Sequence, residues 1–152
     1  MTLAALDALL EENRGGVFFI PGNPAAKPVQ QALKGAGYVF FHVDGKNITR
    51  KEQLLNALAT ALRLPKHFGN NWDALEECLD DMDLPDADGV GLYYDHTDGL
   101  LEAHPDQFET LVEICRDAVA SWKEDGRPFV VLFSGTKAPK GVTKLTETAS
   151  ED

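Results

Sequence analysis

The stretch L-P-K-H-F-G-N-N-W-D-A-L-E-E-C-L-D-D-M, residues 64–82, sets the reading of the whole chain. Pro65 and Gly69 mark a loop. The side-chain oxygens of Asn70 and Asn71 suit the free N–H groups of a first helical turn. Trp72 to Met82 then runs without Gly or Pro, which predicts a helix. At about 100° per residue, Trp72, Ala74, Leu75, Cys78, Leu79 and Met82 fall on one side. Asp73, Glu76, Glu77, Asp80 and Asp81 fall on the other. A buried face and a wholly anionic face therefore share one helix. The acids continue through Asp83, Asp86 and Asp88, with no Lys or Arg between Asp73 and Asp88.

This arrangement works against the helix. The like-charge i,i+4 pairs Asp73/Glu77 and Glu76/Asp80 each cost a few tenths of a kcal/mol. Asp80 and Asp81 also face the negative end of the helix dipole. A solvated polar face is one explanation of acidic residues. The concentration of a single sign, at a cost to the element that carries it, points equally to a surface kept for a cationic partner.

The rest of the chain is read outward from this helix. Upstream, Leu3 to Asn13 has leucines at helical spacing, Val17 to Ile20 (V-F-F-I) is an apolar strand, and Pro28 to Lys34 is a helix. Pro21-Gly22-Asn23-Pro24 is a turn that lacks the glycines and lysine of a phosphate-binding loop. Tyr38 to Val43 (Y-V-F-F-H-V) is a second strand. Thr49 to Glu52 reads as a capping box opening a helix with Leu54, Leu55, Leu58, Ala61 and Leu62 on its apolar stripe. Downstream, Gly89 to Tyr94 (G-V-G-L-Y-Y) is a third strand and Asp95 to His104 a polar connection. Pro105 to Trp122 is a helix and Phe129 to Phe133 (F-V-V-L-F) a fourth strand. Helices separate all four strands, which predicts a single α/β domain over residues 1–135 with a four-stranded, mainly parallel sheet flanked by helices. Residues 136–152 are polar and are expected to form a disordered tail.

Composition narrows the function classes. The 152 residues hold 25 acids against 14 bases, a net charge of −11. Such a balance disfavours direct binding of nucleic acid and favours a basic partner, or solubility alone. No apolar run is long enough to span a membrane, and the acidic N-terminus is unlike a secretion signal. A cytoplasmic location is expected, with Cys78 and Cys115 as reduced, packed thiols, although sequence leaves a disulfide between them open. Asp95-His96-Thr97-Asp98, with His104 nearby, contains metal-ligand types but no recognised ligand spacing, and an ordinary polar connection is the favoured reading. Ser134-Gly135 lacks the context of a nucleophile. Neither metal nor cofactor is expected.

The order strand, V-D-G-K-N-I turn, helix, L-P-x-x-F-G-N-N-W-D-A-L-x-x-C-L, acidic helix, strand, helix, V-V-L-F-S strand resembles the barstar family over about residues 39–135. Its members are intracellular protein inhibitors of secreted bacterial ribonucleases. The helix, strand and helix before residue 38 are an addition. The resemblance implies a non-enzymatic chain, monomeric alone and 1:1 with a basic ribonuclease or ribonuclease-like toxin. It implies a partner-binding set of His67, Phe68, Gly69, Asn71, Asp73, Glu76, Glu77, Asp80, Asp81 and Asp117. Asp73 and Glu77 take the two central carboxylate positions, with Glu77 one methylene longer than the family's Asp, and Asp117 is a third acidic contact. Two positions depart from the pattern: His67 replaces a Tyr, and Glu76 replaces a Trp. A protonated His67 would oppose a cationic partner, so binding is expected to weaken towards pH 5. Two alternatives remain: the same scaffold serving a non-nuclease protein partner, and a metal-dependent enzyme built on Asp95, His96 and Asp98.

Overall fold

The computed structural model describes residues 3–64 and 71–145. In chain order the elements are α1 (Ala4–Glu11), β1 (Gly16–Pro21), α2 (Ala26–Gly35), β2 (Tyr38–Asp44), α3 (Lys51–Ala61), α4 (Trp72–Asp80), β3 (Gly89–Asp95), α5 (Asp98–Ala103), α6 (Pro105–Glu124), β4 (Phe129–Gly135) and β5 (Thr143–Lys144). The strands form one sheet in the order β2-β3-β4-β1-β5, and every pairing is parallel.

The apolar runs follow from this topology. β3 and β4 lie in the middle of the sheet and are buried along their full length, so both faces need hydrophobic side chains. Alternate residues divide between two cores. Val130 and Leu132 of β4 and Tyr93 of β3 face a layer built on Leu6, Leu9, Val29 and Leu33 of α1 and α2. Phe129, Val131 and Phe133 face the layer of α3, α4, α5 and α6. The split reflects direction of travel: β1 to β2 crosses the sheet one way, β2 to β3 to β4 the other. Crossovers of one hand then place their helices on opposite faces. Gly91 in β3 makes room for α2, since a Cβ there would sit 2.5 Å from a Leu33 methyl.

Three expectations are corrected. The sheet has five strands rather than four, and the fifth comes from the segment expected to be a tail. Thr143 and Lys144 pair with Phe18 and Phe19 of β1, the Leu145 N–H donates to the Phe19 carbonyl at 2.7 Å, and Val142 and Leu145 are buried. An open strand edge and two apolar anchors suffice to order a polar segment. Residues 146–152 lie outside the described residues. The Asp95 to His104 connection contains the six-residue helix α5. Finally, α3 starts one residue late: Arg50 is its N-cap, and Gln53 Oε1, not Glu52, accepts from the Thr49 and Arg50 N–H groups at 2.9 and 3.1 Å.

Candidate functional site

α4 is held at its start, along its inner face and at its end. Asn71 Oδ1 accepts from the Ala74 N–H at 2.8 Å, the N-cap bond expected of an asparagine here. Leu75 and Leu79 are fully buried against the main core, with Trp72 and Met82 packed at its margin. On α6, Trp122 donates its indole N–H to the Leu79 carbonyl at 3.0 Å, satisfying an orphan acceptor in the last turn. The Lys51 ammonium stands 5.5 Å from the centre of the Trp72 ring. The helix ends at Asp80, two residues earlier than its apolar periodicity suggests.

The outer side carries the acids. Asp73, Glu77, Asp80 and Asp81 are exposed, and Glu76 is partly buried. Asp117 is exposed on α6 and lies close enough to Asp80 for its charge, with that of Asp81, to act there. Burial first, and then those two neighbours, raise the Asp80 pKa above the ordinary carboxylate value. Among the described residues none of these carboxylates forms an ion pair with a lysine or arginine. Lys51 is turned over the Trp72 ring instead. His67, Phe68 and Gly69, the loop part of the expected set, lie outside the described residues. The structure thus places Asp73, Glu76, Glu77, Asp80 and Asp81 along one helix and brings Asp117 to its C-terminal end.

Beside the acids runs an open groove of about 520 Å³, lined by Phe41, Leu62, Leu64, Cys78, Met82 and Leu84 and edged by Arg63, Glu77, Asp81 and Asp83. Sequence reading did not find it, because it forms where β2, the end of α3 and α4 converge. Cys78 and Cys115 are free thiols. Burial, then Glu77 and Asp81, raise the pKa of Cys78, and burial alone pushes Cys115 to about 12. Neither has the low pKa of a reactive thiol.

The C-terminal edge of a parallel sheet is the usual place for a small ligand. Here the loop after β1 lies down across it. The Asn23 N–H donates to Ser134 Oγ at 2.8 Å, Asn23 Oδ1 accepts from the His96 N–H at 2.8 Å, and the Tyr93 hydroxyl donates to the Pro24 carbonyl at 2.6 Å. The amides that would cradle a phosphate are committed to the protein itself. Asp98, the outer member of the suspected ligand group, caps the Thr136 N–H and hydroxyl at 3.0 and 2.8 Å. An open concavity of about 730 Å³ lies at the opposite end of the strands, beside Arg14, Asp88, Lys123 and Arg127.

The sheet is parallel and covered by helices on both faces, and the acidic face of α4 has no lysine or arginine partner among the described residues. The family described as Barstar (barnase inhibitor) matches residues 38–134, and the chain belongs to that family. The match begins at β2 and ends in β4, so α1, β1, α2 and β5 lie outside it. No curated protein matches the chain. Among solved structures, the ORC2 protein of Aeropyrum pernix (ADPNP-ADP complexes) is similar at 15% identity and a TM-score of 0.58, over 97% of this chain. This chain spans 41% of that one, and the likeness is one of fold. Drosophila ORC bound to DNA is similar at 12% identity and a TM-score of 0.47, over 95% of this chain and 75% of that one.

Proposed function

We propose that this protein is an intracellular inhibitor of a basic ribonuclease or ribonuclease-like toxin, acting by occupying the enzyme's active site, with no chemistry of its own. The observation that carries this reading is the α4 face: exposed carboxylates, set along one helix, without lysine or arginine partners among the described residues. A ribonuclease cleft is lined with cations that hold phosphate. Asp73 and Glu77, one turn apart, are spaced to meet two such cations with charge-assisted hydrogen bonds. Asp80, Asp81 and Asp117 extend the field, which speeds encounter and penalises acidic partners. The groove beside Glu77 and Asp81 offers an apolar side chain a place to anchor, and well-packed anchors of this kind carry much of an interface's affinity.

The test is a titration of a small basic microbial ribonuclease, cleaving a fluorogenic RNA, with the full chain. Activity is expected to fall linearly to zero at one equivalent, with an association rate that drops about tenfold or more when salt screens the field. A pull-down from the producing cell's secreted and co-transcribed proteins covers a cognate enzyme not chosen in advance. Capture of a non-nuclease partner through the same face, together with no inhibition, would overturn the ribonuclease reading and leave a barstar-like binding module.

A further inference from the structure

We propose that Asp44, Asp95 and His96 bind one divalent transition-metal ion, for which zinc is the natural fit, at the C-terminal edge of β2 and β3. The site owes nothing to the α4 face. Parallel register sets Asp44 directly opposite Asp95, so the last residues of two neighbouring strands deliver carboxylates to one point. His96 follows immediately. One ligand atom from each residue lies within 4.8 Å of the other two. His96 Nδ1 is 3.0 Å from Asp95 Oδ1 and 3.9 Å from Asp44 Oδ1. The three atoms converge on one point, and a small movement of the exposed Asp44 carboxylate would bring them to the ordinary zinc distances of about 2.0–2.2 Å.

A second observation points to a ligand. His96 Nδ1 is shielded from water and makes no hydrogen bond, although the ring as a whole is about one-third exposed. Its nearest carboxylate oxygen is Asp95 Oδ1, at ion-pair distance. Asp95 is only 7% exposed, and no lysine or arginine among the described residues pairs with it or with Asp44. A ring nitrogen shielded from water and set beside two carboxylate oxygens is an arrangement that a bound cation would draw together.

The surroundings hold the donors in place. His42 Nε2 lies 3.0 Å from Asp95 Oδ2, which leaves Oδ1 to point at the cluster. The Lys46 N–H donates to Asp44 Oδ1 at 3.0 Å. His96 is left-handed, with φ at 51°, and Asn23 of the added N-terminal segment fixes it by accepting its N–H. Gly45 permits the close turn, since a Cβ there would meet the Asp95 carbonyl at 2.3 Å. Two carboxylates and an imidazole favour zinc or manganese over soft ions, which want thiolate. The fourth position falls to water. Groups that position metal ligands normally contribute a measurable part of the affinity.

The experiment uses the full chain stripped with a chelator, with zinc chloride as probe. Calorimetry should give one saturable site, and zinc should raise the melting temperature. His96→Asn suits the left-handed backbone, and Asp44→Asn alters an exposed carboxylate. Each should weaken zinc binding by about tenfold or more, and Asp44→Asn should leave the metal-free melting temperature nearly unchanged. His104→Ala, outside the cluster, should change nothing. In ring-nitrogen NMR the His96 Nδ1 signal should move on zinc addition. No saturable binding up to roughly 1 mM zinc, or one-to-one binding that survives both substitutions, overturns the proposal.

Discussion

Two groups of carboxylates in this molecule are built to opposite rules. At the end of β3, Asp95 is buried, flanked by two imidazoles and reached by the Gly45 N–H at 3.4 Å. Burial alone would raise its pKa, but the contacts from His96 and His42 and the Gly45 amide outweigh it, and the pKa is lowered. On α4, Asp80 is exposed, and burial and the neighbouring Asp81 and Asp117 raise its pKa instead. In the first group the Asp95 charge is met by neighbouring imidazoles and a backbone amide. The second has no lysine or arginine partner among the described residues, at a cost in helix stability. The difference teaches where to look for a protein partner: at carboxylates that cost their own helix stability and meet no lysine or arginine among the described residues.

The largest effect should come from breaking the internal group. Asp95→Ala takes the carboxylate away from the His42 and His96 rings and from its longer contact with the Gly45 N–H, which keeps the backbone carbonyl of residue 95. The expected loss is about 3 kcal/mol, or roughly 6–12 °C in melting temperature for a chain of this size. Thermal or urea unfolding measures it. The fraction still folded should inhibit a cognate ribonuclease as well as the parent chain does. A variant with the parent's stability would show that the two groups do not differ in kind.

The next effect is on binding. Glu77→Ala removes a central carboxylate of the α4 face, whereas Asp86→Ala removes an exposed one beyond the helix. Glu77→Ala should weaken the complex by about 2 kcal/mol or more, roughly thirtyfold, and Asp86→Ala by less than about 0.5 kcal/mol. Unfolding should barely distinguish either variant from the parent. Equal losses of affinity in the two titrations would remove Glu77 from the centre of the site.

How far the sequence told this story differs between the two groups for a physical reason. α4 was legible because everything that defines it is local: Asn71 as cap, Leu75 and Leu79 at helical spacing, and acids between them. The four long strands were legible because a strand buried on both faces must be a continuous apolar run. The junction of Asp44 with Asp95 was not, since it depends on the register between strands separated by two helices. β5 is two residues long and borrows its order from the edge of β1, while α5 is a single short turn-rich helix containing Gly99. The capping residue was missed by one position, because Gln53 and Glu52 are both able to reach back and only the N-cap at Arg50 decides between them.

The smallest prediction turns the cost of the acidic face into a measurement. Asp80 sits in the last turn of α4, against the dipole and beside Asp81 and Asp117. Asp80→Asn removes that repulsion and should gain about 0.5 kcal/mol at pH 7, or roughly 1–2 °C. Because the folded chain raises this pKa above its ordinary 3.8, the folded state holds the proton more tightly than the unfolded one. The wild-type chain is therefore penalised only when Asp80 is ionised, and the penalty grows as pH rises through the folded pKa. Near pH 3 the aspartic acid is protonated in both states, and the two proteins should melt together. The same substitution should slow association with a basic ribonuclease, since it takes one charge from the field that steers encounter. A gain in stability at pH 7 that disappears in acid, coupled to a slower on-rate, is the signature of charge held for a partner. A gain that persists at pH 3 would assign the effect to helix propensity and leave the acidic face without a cost to explain.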